Sequence, residues 1–454
     1  MGECGFLRID THLLYLVKGL ICILLGLSLV SSTVAARIRH FDWNPAAQTA
    51  VNSASYCDLI FLMDGEDTDI RTMRRDSDGE EEEEEDKGTL LSWDSILPDE
   101  LLQKVLSLLP IADIIKLGIV CKRWYEIVHS RPSLWTMMAP QKPWFLLSCF
   151  NDCVSSVRAY DPCLQQWHIF GFPGLEKSIW HASSSYGLVC LTKREDRSRL
   201  LVSNPITRDW KRLPHVPGGS SPDYNALALS FDRRTRSYTV VFAKCTAHMP
   251  GNNHQWHFSI DIYKSTTQSW ATLFAQDLGS WKGGDEGVVC DGVFYYLIHP
   301  NTEQRPHLVA FDLAKTPSTI QSLIREAIPA PCPLTCARLI NLSDKLVMVG
   351  GGGWCNRLIK GLTIWELEDK TWREVARTPV EMSTSLCTIR ENFICCGAGD
   401  LVFIQCLGWP TALLTFDVRR KVWRTMNVVE PFMALFLVRF FSGFCFEPRL
   451  DVTP

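Results

Sequence analysis

Histidines and cysteines are the first places to look for chemistry in this chain. His248, His254 and His257 lie close together, but they flank Pro250-Gly251-Asn252-Asn253, a turn-forming run that reads as a mobile loop and not as a metal site. Zinc sites set Cys or His pairs at tight spacing with a second pair to complete the shell. Cys149/Cys153 and Cys332/Cys336 are both C-x-x-x-C, and neither has a matching pair nearby. Many of the 18 cysteines sit in apolar runs: Cys190 within Gly187–Leu191, Cys290 after Val288-Val289, Cys395 and Cys396 after Phe393-Ile394. There a free thiol packs as a small hydrophobe, which predicts reduced core residues and not a disulfide scaffold. The sequence holds no phosphate loop, no H-E-x-x-H and no G-x-S-x-G. The expectation is a chain without catalytic residues, metal or cofactor, one that works by binding.

Composition agrees with a large folded chain. It has 454 residues, 46% hydrophobic and 21% charged, with mean hydropathy +0.01, 16 Trp and 22 Phe. The net charge of −4 is unevenly spread: Asp64 to Lys87 holds 13 acidic and 4 basic residues, so the remainder carries a net +5. That is mild for its size and forms no basic stripe for nucleic acid. The seven successive acids Glu80 to Asp86 resist compaction, so residues 64–91 are expected to be a disordered acidic linker.

The N-terminus departs from this pattern. Leu13 to Val34 is strongly apolar, broken by Lys18, and Arg37, Arg39 and His40 follow it. Within residues 1–63, three readings stay open. The apolar stretch is a signal peptide with small residues Thr33 to Ala36 for cleavage, or a membrane anchor of spanning length, or a segment absent from the main product. Met63, opening Met63-Asp64-Gly65-Glu66-Asp67, would serve as the start in the last case.

Two kinds of element follow. Leu97 to Pro110 has apolar residues 101, 102, 105, 106 and 109 at helical spacing, with Pro98 suited to a first turn and Pro110 as its stop. Asp113 is placed to cap a second helix through Ile114, Ile115, Leu117 and Val120, and a third runs from Cys121 to Val128. Three short helices cannot bury all their apolar surface and are expected to dock on something. From Trp144 the pattern changes to short β-type runs separated by Gly, Pro and Asn turns. An internal repeat rides on them: an apolar or aromatic residue, often followed by Asp or Asn-Pro, then Trp six to eight residues on. The Trp positions 167, 210, 270, 372 and 423 are 43, 60, 102 and 51 residues apart, and the long gap divides at Phe311-Asp312 with Ile320 at the Trp position. Six units of about 50 residues match kelch-type propeller blades, and Gly350 to Gly353 resembles the glycine doublet of such a blade. The repeat Trp residues are expected to fill space between blades.

Leu97-Pro98, the helix to Leu109-Pro110, and Val120-Cys121-Lys122-Arg123-Trp124 followed by Trp135 are together similar to an F-box, spanning 92–136. The region from Ser92 onward resembles plant F-box/kelch-repeat proteins, with matching stretches at Ser203–Thr207, Pro333–Cys336, Ala412–Asp417 and Gly443–Leu450. The implied fold class is mainly β: a six-bladed kelch-type propeller over 143–454, preceded by a three-helix F-box. The implied partners are the Skp adaptor, through it a cullin scaffold, and a target protein on the propeller. Such a chain is the target-recognition subunit of a ubiquitin ligase and not an enzyme. Carried onto this sequence, the pattern implies that Leu97, Pro98, Leu101, Leu102, Val105, Leu109, Pro110, Val120, Cys121 and Trp124 form or support the adaptor face. About half of them, notably Leu102, Val105 and Trp124, are expected to hold the helices together instead. The resemblance also implies location in the cytoplasm or nucleus, where the adaptor is, with membrane anchoring if Leu13 to Val34 is present. A scaffold that binds without promoting ubiquitination is an alternative. A secreted propeller oxidase would suit the apolar N-terminus and the cysteine count. Against it, the sequence offers one N-glycosylation sequon, Asn341-Leu342-Ser343, and an F-box has no partner outside the cell. Target residues are not identified, but the loops Pro214 to Asp223, His248 to His257, Trp281 to Asp285 and Gly350 to Lys360 are candidates.

Overall fold

A computed structural model describes residues 99–118, 122–129, 135, 141–150, 155–170, 179–193, 196–218, 222–247, 255–300, 305–315, 319–334, 336–351, 361–379, 381–382, 393–406, 412–427 and 440–454. The apolar stretch Leu13 to Val34, the acidic run, and Leu97, Pro98, Val120 and Cys121 lie outside them. No described helix is long and apolar enough to cross a membrane. The chain divides into a helical unit up to Pro140 and a strand unit that takes nearly all the rest.

In the helical unit, α1 (Asp99–Leu106) places Asp99 and Glu100 in its first turn and Lys104 in its last, each suiting the helix dipole. It is shorter than the apolar pattern suggests. After Leu106 the chain tightens: Leu109 N–H donates to the Leu106 carbonyl at 3.0 Å, and the Ser107 hydroxyl donates to the Lys104 carbonyl at 2.8 Å. These bonds satisfy carbonyls that a longer helix would have used. The next helix, α2 (Ile111–Leu117), begins earlier than expected. Pro110 occupies its N-cap, and Asp113 lies inside the first turn, 3.7 Å from Lys116, instead of capping. The third helix, α3 (Lys122–His129), packs against both others. Leu102, Leu106, Leu109, Ile114, Leu117, Ile127 and Val128 are buried, and the buried Trp135 indole donates to the Val128 carbonyl at 3.2 Å.

The strand unit is six four-stranded antiparallel sheets. The first blade holds β1 (Trp144–Phe150), β2 (Ser155–Asp161) and β3 (Gln166–Phe170). The second holds β4 (Ile179–Ser185), β5 (Leu188–Lys193), β6 (Leu200–Ser203) and β7 (Trp210–Arg212). The third holds β8 (Tyr224–Asp232), β9 (Ser237–Ala247), β10 (Trp256–Lys264) and β11 (Ser269–Asp277). In the fourth, β12 (Trp281–Cys290), β13 (Val293–Pro300) and β14 (His307–Asp312) are followed by α4 (Ile320–Arg325) and the two-residue β15 (Ile328–Pro329). The fifth holds β16 (Cys336–Leu342), β17 (Lys345–Gly351), β18 (Leu362–Glu368) and β19 (Thr371–Arg377). The sixth holds β20 (Phe393–Ala398), β21 (Leu401–Cys406), β22 (Ala412–Asp417) and β23 (Val422–Asn427). The last strand, β24 (Phe440–Phe446), returns to the first blade as its innermost strand, pairing with β1 from Trp144↔Phe446 to Phe150↔Phe440. One blade is thus built from both ends of the unit, which closes the ring and leaves no free inner edge.

The core lies between blades. One apolar cluster joins the third and fourth blades around Phe258, Phe294 and Phe311, and equivalents fill the seams two–three, four–five, five–six and six–one. The inner strands β4, β8, β12, β16, β20 and β24 neighbour one another in sequence around the ring.

The repeat has a local cause. Trp167, Trp210, Trp270, Trp372 and Trp423 are each the first or second residue of an outermost strand. Two residues before each stands a residue of positive φ: Gln165 54°, Arg208 62°, Gln268 54°, Lys370 61° and Lys421 57°. The Asp or Asn of the repeat shapes the preceding turn. Asp161, Asn204, Asp312 and Asp417 each accept a backbone N–H two or three residues on, at 2.7–2.9 Å. In the fourth blade Ile320 opens α4 and is buried, so a helix replaces most of the outer strand. The Trp residues follow the expected role with one correction. Trp270 donates to the Pro214 carbonyl of the neighbouring blade at 2.9 Å, but Trp210 is 50% exposed, because β7 has only three residues and little covers it.

Candidate functional site

Two surfaces concern binding, one in each unit. On the helical unit, the adaptor residues read from sequence separate by depth. Leu102 and Leu109 are buried among the helices and support the unit from inside. Pro110 and Trp124 are half-buried, at the start of α2 and on α3. Leu101 and Val105 lie on α1, but their side chains are outside the described set, as are Leu97, Pro98, Val120 and Cys121 altogether. The structure adds two residues that periodicity missed. Leu108 is 54% exposed and Tyr125 39% exposed, large apolar groups facing water on a unit of three short helices. Their signal was an apolar residue off the buried stripe. Leu108 lies beyond the end of α1, and the Tyr125 ring stacks on His129 at 4.2 Å. An ion pair joins α3 to α1: the Arg123 guanidinium lies 2.7 Å from the Asp99 carboxylate at the start of α1.

On the strand unit, the six inner strands enclose a central channel of about 1020 Å³. The strands of each blade run antiparallel, so the loops joining second to third strand, and one blade to the next, all lie at the end where inner strands begin. The four loops singled out from sequence share that end. Pro214 to Asp223 joins β7 to β8, His248 to His257 joins β9 to β10, Trp281 to Asp285 opens β12, and Gly350 to Lys360 joins β17 to β18. Residues 219–221, 248–254 and 352–360 of these loops are outside the described set. His257 makes a 2.9 Å contact with Asp277, and among the described residues no group of three His, Cys, Asp or Glu is gathered to hold a metal.

Charged residues line that end of the channel. The pairing of β12 with β13 skips between Gly283 and Gly287, so three residues of one strand stand against one of the other. The bulge carries Asp285 and Glu286 toward the channel. Its glycines are required by packing. A side chain on Gly283 would strike the Tyr296 hydroxyl and Cys245, and one on Gly287 would strike Phe294. Glu286 reaches Arg338 of the fifth blade at 2.9 Å and accepts the Leu339 N–H at 3.3 Å. Asp285 accepts the Asn225 N–H of the third blade at 3.0 Å. Asn225 Nδ2 lies 3.1 Å from His181 Nδ1, and Arg197 Nη1 donates to Asn225 Oδ1 at 3.4 Å. Burial raises the Asp285 and Glu286 carboxyls above the ordinary range, against the pull of Arg338. Burial, reinforced by Arg197 and Arg338, holds His181 neutral with its pKa lowered to about 3.

Among the nine described cysteines, four behave as packing residues and Cys163 is exposed. Cys190, Cys245, Cys290 and Cys445 are buried, and burial pushes the Cys245 thiol up to about 11 and that of Cys290 to about 12. Both are therefore protonated and poorly nucleophilic at neutral pH.

Residues 94–140 match the F-box-like family, and residues 168–343 match the F-box associated beta propeller domain. The chain is 42% identical to the F-box/kelch-repeat protein At3g61590 of Arabidopsis thaliana, over 83% of this chain and 94% of that one. It is 27% identical to the F-box/kelch-repeat protein At5g43190 of the same plant, over 72% and 81%. SKP1-interacting partner 15, also from Arabidopsis thaliana, is 25% identical over 79% and 98%. At that identity and coverage, and with both family matches, the chain belongs to the plant F-box/kelch-repeat proteins.

Proposed function

We propose that this chain is the target receptor of a Skp–cullin–F-box ubiquitin ligase. The helical unit docks the Skp adaptor, the adaptor joins it to the cullin, and the propeller holds a target protein near a ubiquitin-charged enzyme on the same scaffold. Its chemistry is proximity, which turns an encounter into a nearly intramolecular step, so the chain itself supplies no reacting group. The observation that carries this reading is the pairing, in one chain, of a small helical unit exposing Leu108 and Tyr125 with a closed six-bladed platform. A relative named for its interaction with SKP1 supports the choice of adaptor. Its place of work would be the cytoplasm or nucleus, where the adaptor is found.

Capture of purified Skp adaptor by the full chain, with a Leu97→Ala/Pro98→Ala variant beside it, tests the first half. The variant should lose capture while its propeller stays folded, and equal capture would overturn the assignment. Reconstitution with cullin and charged enzyme, using a captured target, tests the second half. Target binding without ubiquitin transfer would make the chain a scaffold and not a receptor.

A further inference from the structure

We infer that the propeller channel recognises a cationic side chain, the guanidinium or ammonium of an Arg- or Lys-bearing loop or tail on the target protein, and that Asp285 is its anchor. The inference rests on the receptor reading above and names the chemistry of the target.

Three observations meet at Asp285. The first is charge segregation. Outside the acidic stretch Asp64 to Lys87 the chain is net positive by 5, yet the channel wall carries six carboxylates against the two guanidiniums of Arg233 and Arg338: Asp285 and Glu286 toward the end that bears the interblade loops, and Asp232, Asp291, Asp344 and Glu447 at the other. A concave wall with an excess of one sign focuses its field into the space it encloses.

The second is the pairing around Asp285. Its carboxylate is exposed to the channel and accepts one hydrogen bond, from the Asn225 N–H, and no cation among the described residues closes an ion pair with it. The cations nearest in electrostatic reach are Arg338, Arg197 and Lys282. Each is engaged elsewhere: Arg338 by Glu286, Arg197 by Asn225 and the Pro222 carbonyl, and Lys282 over the Tyr224 ring at 4.2 Å.

The third is placement. The bulge between Gly283 and Gly287 re-aims the strand at the channel end that also bears the interblade loops, and the cavity of about 1020 Å³ admits a side chain or an extended segment but no folded domain. Glu286, held by Arg338, forms a fixed wall beside the anchor.

The test uses the full chain and a fluorescein-labelled (Gly-Arg)3 peptide, read by anisotropy, with (Gly-Glu)3 and spermidine as parallel probes. Asp285→Asn keeps the shape and the acceptor for the Asn225 N–H. Glu374→Gln, an exposed carboxylate on β19, controls for general charge loss, and the acidic stretch is common to all variants. Asp285→Asn should weaken the arginine peptide about tenfold or more, Glu374→Gln should leave it unchanged, and thermal melting should show both variants folded. Equal affinity in wild type and Asp285→Asn overturns the inference, as does equal loss in Glu374→Gln. Spermidine binding that depends on Asp285 while the peptide does not bind also overturns it, in favour of a free polyamine. Adaptor capture is measured on the same preparations. Its failure would sink the receptor reading and leave the channel result standing, so the two failures are separable.

Discussion

Glu286 of β12 and Arg338 of β16 close a 2.9 Å ion pair across the seam between the fourth and fifth blades, with only about a fifth of each side chain exposed (21% and 22%). Arg338 also donates to the Phe393 carbonyl of the sixth blade at 3.1 Å, so one guanidinium bridges three successive blades. Removing one member of such a pair strands the other charge, whereas removing both does not. Arg338→Met should therefore lower stability by roughly 2–4 kcal/mol, near the lower end for buried pairs because the channel admits water. Adding Glu286→Gln should restore a good part of the loss. Urea midpoints of the four members of this cycle would show it. A double variant no more stable than Arg338→Met would mean that the carbonyl contacts, and not the stranded carboxylate, carry the cost.

His181 gives the channel a pH signature. Its folded pKa of about 3 lies below the ordinary 6.5. Between those values the unfolded chain binds a proton that the folded chain refuses. The stability this histidine contributes is therefore present above pH 6.5 and is lost as pH falls toward 3, at up to about 1.4 kcal/mol per pH unit. The raised carboxyls of Asp285, Glu286 and Glu447 work in the opposite sense. The difference between wild type and His181→Gln isolates the histidine. Denaturant titrations at pH 6.5 and 4.5 should show the wild type losing more stability than the variant, and parallel losses would refute the assignment.

The helical unit offers a separation of docking from folding. Leu102 is 2% exposed and Leu108 54% exposed, six residues apart on the same segment. Leu102→Ala removes core contacts and should cost roughly 2–5 kcal/mol of stability in that unit. Leu108→Arg and Tyr125→Ala alter only the surface and should leave melting unchanged while weakening adaptor binding about tenfold each. Calorimetry of adaptor binding beside thermal melts of each variant would decide. If Leu108→Arg binds adaptor normally, the face lies elsewhere on the unit.

How far the sequence disclosed this molecule depends on whether the signal is local. The Trp spacing located the outermost strand of five blades, because Asp161, Asn204 and Asp417 shape their turns through their own side chains and Trp follows at a fixed offset. The fourth blade was legible through Phe311-Asp312, but its replacement of an outer strand by α4 was not, since Ile320 is buried equally well at either kind of position. The helix ends were misjudged for a similar reason. Apolar spacing continues from Leu106 to Leu109 although the backbone tightens, and Pro110 took the cap position that Asp113 was expected to serve. The channel cluster was the least visible part. Asp285 meets Asn225 across 60 residues and Glu286 meets Arg338 across 52, and only Gly283-Gly284-Asp285-Glu286-Gly287, a charged pair set among glycines, hinted at the bulge.

A final prediction concerns closure of the ring. The pairing of β24 with β1 is the expected lock, but the chain continues past it and is held again. Leu450, Asp451 and Val452 are buried, and Asn204 of the second blade donates through Nδ2 to the carbonyls of Arg449 at 3.0 Å and Val452 at 2.7 Å. Arg449 grips Asp451 through two bonds of 2.7 and 3.0 Å and lies 3.7 Å over the Tyr186 ring, while Arg236 of the third blade also reaches Asp451. The tail therefore ties the first blade to the second and third. Asn204 is fully buried and also accepts the Ile206 N–H at 2.9 Å and the Thr207 N–H at 3.4 Å, so Asn204→Ala leaves two carbonyls and two N–H groups without it, a loss of roughly 2–4 kcal/mol. Asn204→Asp keeps the acceptor but cannot donate, and should lose nearly as much, because a carboxylate would then face two carbonyl oxygens. Truncation after Pro448 removes the tail but leaves β24 paired, and should raise hydrogen exchange at the seams around the first and second blades more than in the fourth and fifth. Uniform exchange across all six blades in the truncated chain would show that β24 alone closes the ring.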